Sequence, residues 1–112
     1  MAKVLMIGCG DLGTAIAMRL FNTGHMLTGV RRGSQALPHG MQTIQADVTL
    51  PNTLGSLESL NPNILIYCVS AGGSTDVQYH AAYVQGLKNV LTTQANNKAL
   101  QQIGRASCRE RV

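Results

Sequence analysis

The sequence predicts an open α/β sheet of parallel strands, doubly wound by helices and ordered third, second, first, fourth across its width. Three observations carry this. Short apolar runs alternate with helix-period segments along the chain. Those runs lack the polar alternation of a half-exposed strand, as strands covered on both faces should. A glycine-spaced hexapeptide, GCGDLG, stands directly behind the first run and opens the first helical segment.

The elements follow in order. Lys3 to Ile7, KVLMI, reads as a buried strand. Leu12, Ile16 and Leu20 recur every fourth residue, so a helix is expected from about Leu12 to Asn22, stopping near Gly24. His25 to Val30 is strand-like despite Gly29, and Met41 to Val48 supplies a third strand. Pro51 opens a short helical stretch that Asn61 and Pro62 close. Asn63 to Val69, NILIYCV, is the most hydrophobic strand. A long helix is expected from about Asp76 to Ala99, with Ala81, Val84, Leu87 and Leu91 as its apolar stripe.

Composition bounds the size of the answer. With 112 residues, 45% hydrophobic and 12% charged, the chain supports one modest core and is too apolar for a disordered segment. The formal charge is +4, but Arg105, Arg109 and Arg111 fall in the last eight positions. No basic stripe interleaves with aromatics, so nucleic acid is set aside as a partner. Cys9, Cys68 and Cys108 have no metal-knuckle spacing and fit reduced thiols of a cytoplasmic protein. No run approaches the length of a membrane span. His25, His39 and His80 are scattered and read as surface or turn residues, and Ser70 and Ser74 lack a partnered base. No metal site is expected.

The glycines carry the chemistry. Gly8 permits a tight turn out of the first strand, Gly10 lets backbone approach a pyrophosphate, and Gly13 lets the helix pack closely. Asp11 and Leu12 open the helix, whose unpaired amides and partial positive charge favour phosphate. Ala17, four residues beyond Gly13, keeps that helix face small. With a strand before, a helix after and a second strand at the right distance, the hexapeptide reads as a dinucleotide cradle. An NAD site carries a carboxylate at the end of the second strand, whereas this chain reads GVRRGS. Arg31 and Arg32 suit a 2′-phosphate, so NADP(H) is expected in preference to NAD(H), with Ser34 as an added hydroxyl donor.

GCGDLG, the ADVT at 46–49, the YCVSAGG at 67–73 and the YVQGLKNVL at 83–91 together resemble the extended or atypical short-chain dehydrogenase/reductases, the NAD-dependent epimerase/dehydratase group. The resemblance spans about Lys3 to Ala99 and implies a Rossmann-like fold. It places Asp47 and Val48 beside the adenine, and Cys68, Val69, Ser70 and Ala71 along the cofactor. Asn89 matches an asparagine in the group's long-helix motif, where Lys88 stands in place of a threonine. GxGxxG in place of GxxGxxG points to the atypical branch. The first domain of 3-hydroxyacid dehydrogenases is a competing resemblance, through GxGxxG, Gly24-His25 and the following arginine, but ADVT suits the short-chain group.

That group's proton-transfer pair, Tyr-x-x-x-Lys, does not occur: Tyr83 and Lys88 are five apart, and Tyr79 has Tyr83 four residues on. No catalytic residue is therefore assigned. Residues 103–112, IGRASCRERV, resemble the translation of a sequencing-library adapter, and they lack β periodicity where the group has its fifth strand. The expected organisation is thus an N-terminal part of a NAD(P)-binding domain over residues 1–102 and a non-native tail over 103–112. The sheet is expected to stop after about four strands, leaving the fourth with an open edge and the chain marginally stable. The function expected is the NADP(H)-binding half of an oxidoreductase or epimerase acting on a nucleotide sugar or other alcohol or carbonyl compound. A redox-inactive NADP-binding regulatory module is the alternative from another class. Oligomeric state is not legible.

Overall fold

The computed structural model describes residues 2–8, 10–33, 36–69 and 75–105. The chain runs through β1 (Lys3–Ile7), α1 (Asp11–Asn22), β2 (Met26–Arg31), a 3₁₀ turn (Pro38–Gly40) and β3 (Gln42–Gln45). Two further 3₁₀ turns (Pro51–Thr53 and Gly55–Ser59) lead to β4 (Ile64–Tyr67). Then come α2 (Asp76–His80), a π-helical turn (Ala81–Gln85), α3 (Gly86–Thr93) and β5 (Gln102–Arg105). The strands form one parallel sheet in the order β3-β2-β1-β4-β5.

The predicted doubly wound class and the order of the first four strands are thus present. Alternation along β1 serves both layers. Leu5 and Ile7 face a core with Val30, Leu57, Leu65, Tyr67 and Val90, while Val4 and Met6 face one with Ala17, Leu27, Leu37 and Met41. Every β1 residue from Val4 to Ile7 is buried, which is why the run reads as continuously apolar. Each such aliphatic side chain contributes about 1.5–3 kcal/mol by leaving water.

The ends of α1 follow the expected chemistry. Gly24 takes φ +97°, and the His25 amide donates back to the Leu20 carbonyl at 3.2 Å, a left-handed helix stop that glycine adopts without strain. His25 is structural: its Nδ1 accepts the Ala2 amide at 3.0 Å, joining the start of β1 to that of β2.

Three expectations are corrected. The sheet has a fifth strand, made largely from residues expected to be a tail. Ile64 to Tyr67 pair in register with Gln102 to Arg105, so the β4 edge is covered along its length. Sequence periodicity missed this because the pairing is a backbone event. Ile103 is 52% exposed and gives no alternation to read, while the unpaired amides and carbonyls of β4 template any extended segment delivered beside them. Amide side chains make that delivery: Asn97 donates to the Pro62 carbonyl at 2.8 Å, and Asn63 to the Ala99 carbonyl at 3.3 Å. Buried Gln94 donates to the Leu57 carbonyl at 3.0 Å.

The long helix is interrupted and ends earlier than expected, at Thr93. Its inward row is Ala82, Gly86, Val90 and Gln94 instead of the stripe through Val84, which is 51% exposed. The π turn explains the shift, since the Gly86 amide reaches back to the Ala81 carbonyl and one extra residue enters the turn. The helical stretch after Pro51 consists of two 3₁₀ turns, while β3, expected to reach Val48, stops at Gln45. Among the described residues, no helix is long and apolar enough to cross a membrane.

Candidate functional site

A cleft of about 440 Å³ opens at the carboxyl ends of the strands. Gly8 and Gly10 follow β1 on its lining, Arg31, Arg32 and Gly33 end or follow β2, and Ala46 to Thr49 follow β3. Cys68 and Val69 follow β4, and Gln78, Ala81 and Ala82 close the far side. Such a crevice lies where strand order reverses, on either side of β1.

The three glycines have different reasons to be glycine. Gly8 has φ +89°, its amide donates to the Val30 carbonyl at 2.8 Å, and a Cβ on it would collide with the Cys68 carbonyl oxygen. On Gly13, a Cβ would fall on the Gly8 carbonyl, so α1 seats against the turn leaving β1. Gly10 differs from both. Its φ of −76° suits any residue, and among the described residues beyond its chain neighbours a Cβ there would meet no atom within 4 Å. Neither backbone strain nor packing among the described residues asks for glycine at Gly10, yet it sits on the cleft wall at the N-terminus of α1. No side chain among the described residues caps that terminus, and the first helical bond runs from the Thr14 amide to the Gly10 carbonyl. The preceding amides and the positive end of the helix dipole are available to an anion.

The basic corner is stitched to the loop after β3. The Ala46 amide donates to the Arg31 carbonyl at 3.0 Å, and Gln45 Nε2 to the Arg32 carbonyl at 3.0 Å. Arg31 is half-buried, and nothing among the described residues accepts a hydrogen bond from its buried Nε. Arg32 is exposed.

Asp47 sits beside this corner in a fixed pose. Its carboxylate accepts the Thr49 amide at 2.9 Å and the Thr49 hydroxyl at 2.7 Å. Its own amide donates to Thr53 Oγ1 at 3.0 Å. Partial burial pushes the carboxyl up, but the two Thr49 hydrogen bonds and the Arg32 charge together outweigh that and hold it below its ordinary value. Asn89, carried by α3, donates to the Val48 carbonyl at 2.8 Å and so pins the Asp47–Val48 wall to the helix behind it.

The cleft therefore gathers Gly8, Gly10, Arg31, Arg32, Asp47, Val48, Cys68 and Val69 of the residues that sequence singled out. Gly13 supports the turn from behind, Asp11 opens α1, and Leu12, on α1, is exposed and outside the lining. Cys9, Ser34, Ser70 and Ala71 lie outside the described residues. Sequence reasoning missed Gln78, Ala81 and Ala82 on the far wall. A signal for the first existed: Thr75 and Gln78 have capping-box spacing, and the Thr75 hydroxyl does accept the Gln78 amide while Gln78 Oε1 accepts the Thr75 amide. For Ala82 the signal was Gly86. A Cβ at Gly86 would come within 2.5 Å of the Tyr67 hydroxyl and 2.7 Å of Val48, so only glycine lets the helix approach. The Tyr67 hydroxyl then donates to the Ala82 carbonyl across that contact.

No protein-family model matches the chain. No curated protein sequence matches it either. Solved structures do. A protein of Methylobacillus flagellatus described as a NAD-dependent epimerase/dehydratase is 43% identical, with a TM-score of 0.75 over 93% of this chain and 36% of its own. The ADP-L-glycero-D-manno-heptose-6-epimerase of Helicobacter pylori superposes with a TM-score of 0.76 at 19% identity, over 95% of this chain and 39% of its own. The Bordetella bronchiseptica enzyme WbmG, solved with NAD and UDP, gives 0.71 at 20% identity, over 93% and 36%. The last two share the fold. The chain spans little more than a third of the length of each.

Proposed function

We propose that the chain is the cofactor-binding N-terminal part of a short-chain-type oxidoreductase or epimerase of the epimerase/dehydratase group, cytoplasmic and NADP(H)-dependent. In this reading the whole enzyme acts on a nucleotide sugar or a related alcohol or carbonyl compound. The observation that carries it is Gly10, a glycine that neither its backbone conformation nor the described residues around it require, on the wall of a cleft at a helix N-terminus that no described side chain caps. The 43% identity to the Methylobacillus protein supports the group.

The residues present fit a dinucleotide. The first turn of α1 would hold the pyrophosphate, Asp47 and Val48 the adenine end, and Val69 the middle of the cofactor. Arg31 and Arg32 would take a 2′-phosphate, and an oxygen of that group would satisfy the buried Arg31 Nε. When bound, the nicotinamide supplies a hydride acceptor or donor. The chain's own part is to bind and orient, since a Tyr-x-x-x-Lys pair is absent from these 112 residues. A longer chain that also lacked the pair would favour the redox-inactive binding module.

Calorimetric titration with NADPH and NADH tests the cofactor. Tighter NADPH binding is expected, with the preference lost when Arg31→Ala and Arg32→Ala are combined. Tighter NADH binding, or a preference that survives both changes, overturns the NADP(H) reading.

A further inference from the structure

We propose that Asp47 sets how strongly the basic corner discriminates a 2′-phosphate: its carboxylate, clamped beside Arg31 and Arg32, cancels part of their field at the same end of the cleft. This rests on the cofactor reading above and adds to it an opposing charge built into the same wall.

The placement is enforced by backbone. Parallel pairing sets Arg31 opposite Gln45, and the Ala46 amide and Gln45 side chain bond the Arg31 and Arg32 carbonyls. Asp47 follows two residues after Gln45, so a fixed anion lines the same corner of the cleft as two cations, near enough to Arg32 for that charge to act on its carboxyl. The carboxylate cannot swing away without giving up both Thr49 hydrogen bonds, nor can its backbone shift while Thr53 Oγ1 holds the amide and the Asp47 carbonyl accepts the Leu50 amide at 2.9 Å. A doubly charged phosphate arriving at the arginines therefore meets this anion within a Debye length, in a partly solvated site where such effects are modest. The charge of exposed Arg32, which already acts on the Asp47 carboxyl, then acts on the incoming phosphate as well. Discrimination is held below what two unopposed arginines would give.

Asp47→Asn isolates the charge, because the amide oxygen can still accept from the Thr49 amide and hydroxyl. The probes are 2′,5′-ADP and 5′-AMP, titrated calorimetrically into the 112-residue chain. Any effect on the shared adenosine cancels in the ratio of their affinities. In Asp47→Asn the preference for 2′,5′-ADP should rise by about three- to tenfold at low salt and approach the wild-type value near 0.5 M salt, a range set by Coulomb attraction and screening. Asp47→Glu, which keeps the charge, should stay close to wild type. The rise should shrink when Arg32→Gln is added, as coupled charges require. A wild-type chain that prefers 2′,5′-ADP through its arginines, but whose preference is unchanged or lower in Asp47→Asn, overturns this inference alone. A wild-type chain with no such preference overturns both it and the NADP(H) reading.

Discussion

Replacing Gly10 by alanine separates what the fold needs from what a ligand needs. The Gly10 backbone, at φ −76° and ψ −161°, is open to any residue, and among the described residues beyond its chain neighbours a new methyl group would meet no atom within 4 Å. Two small terms oppose each other in the fold. Alanine is a poorer N-cap than glycine by roughly 0.5 kcal/mol, whereas stiffening the unfolded chain contributes about 0.4–1 kcal/mol. The net change stays within about 0.5 kcal/mol, or roughly 2 °C in Tm for a domain of this size. Binding should respond very differently. A methyl group in the space of the pyrophosphate costs at least one charge-assisted bond to the helix amides, about 1.5–3 kcal/mol, or roughly ten- to a hundredfold in affinity. Gly8→Ala and Gly13→Ala supply the contrast. Their methyl groups would collide with the Cys68 and Gly8 carbonyls, and each should destabilise the chain by about 2 kcal/mol or more. Thermal melts of the three variants, with calorimetric titration of NADPH into Gly10→Ala, make the comparison. A Gly10→Ala chain that melts like Gly8→Ala, or binds NADPH as tightly as wild type, refutes the reasoning.

Gly86→Ala should destabilise despite adding a helix former. The propensity gain is about 1 kcal/mol, but forcing a Cβ against the Tyr67 hydroxyl and Val48 costs about 1–3 kcal/mol, and straining the Tyr67–Ala82 hydrogen bond about 0.5–1.5 more. A net loss of about 2 kcal/mol should lower Tm by roughly 5–10 °C, and less in a Tyr67→Phe background; a rise in Tm would count against the close approach. Acid should loosen the loop after β3. The Asp47 carboxyl lies below its ordinary value of 3.8 in the fold, so its contribution is fully present above that value and is lost as pH falls through the lower folded one. Melting curves between pH 5 and 2.5 should show a shallower acid decline for Asp47→Asn than for wild type. Equal declines would mean that the Thr49 contacts do not favour the ionised form.

Much of the fold was legible because its signals are local. A strand buried on both faces must be apolar throughout, as β1 is, and a helix that stops on Gly24 advertises the left-handed residue it needs. The lining contributed by Gly8, Gly10, Arg31, Arg32, Asp47, Val48, Cys68 and Val69 was legible for a related reason. In a parallel sheet every strand points the same way, so residues just past the strand ends collect at one edge. The far wall left only indirect signals, the Thr75–Gln78 capping-box spacing and Gly86. Ala81 and Ala82 reach the cleft on a π turn that follows the short helix carrying Gln78, and an extra residue in a helical turn leaves no mark on a 3.6-residue period.

By itself, then, the sequence determined the class of sheet, the order of its first four strands and the turn that opens on the cleft, since each follows from backbone conformation and apolar periodicity within a few neighbouring residues. Tertiary structure alone decided the rest. It showed that Gly8 and Gly13 answer to protein atoms while Gly10 meets none of the described residues beyond its chain neighbours, and that Thr49 clamps Asp47 on the cleft wall that Arg31 and Arg32 also line. It also recruited residues 102–105, with little apolar pattern of their own, as a fifth strand along the β4 edge. The physical reason is common to all three. Steric contact, charge placement and edge pairing depend on what lies across space from a residue, and Gly86 against Tyr67 or Gln102 against Ile64 are neighbours only after the chain has folded.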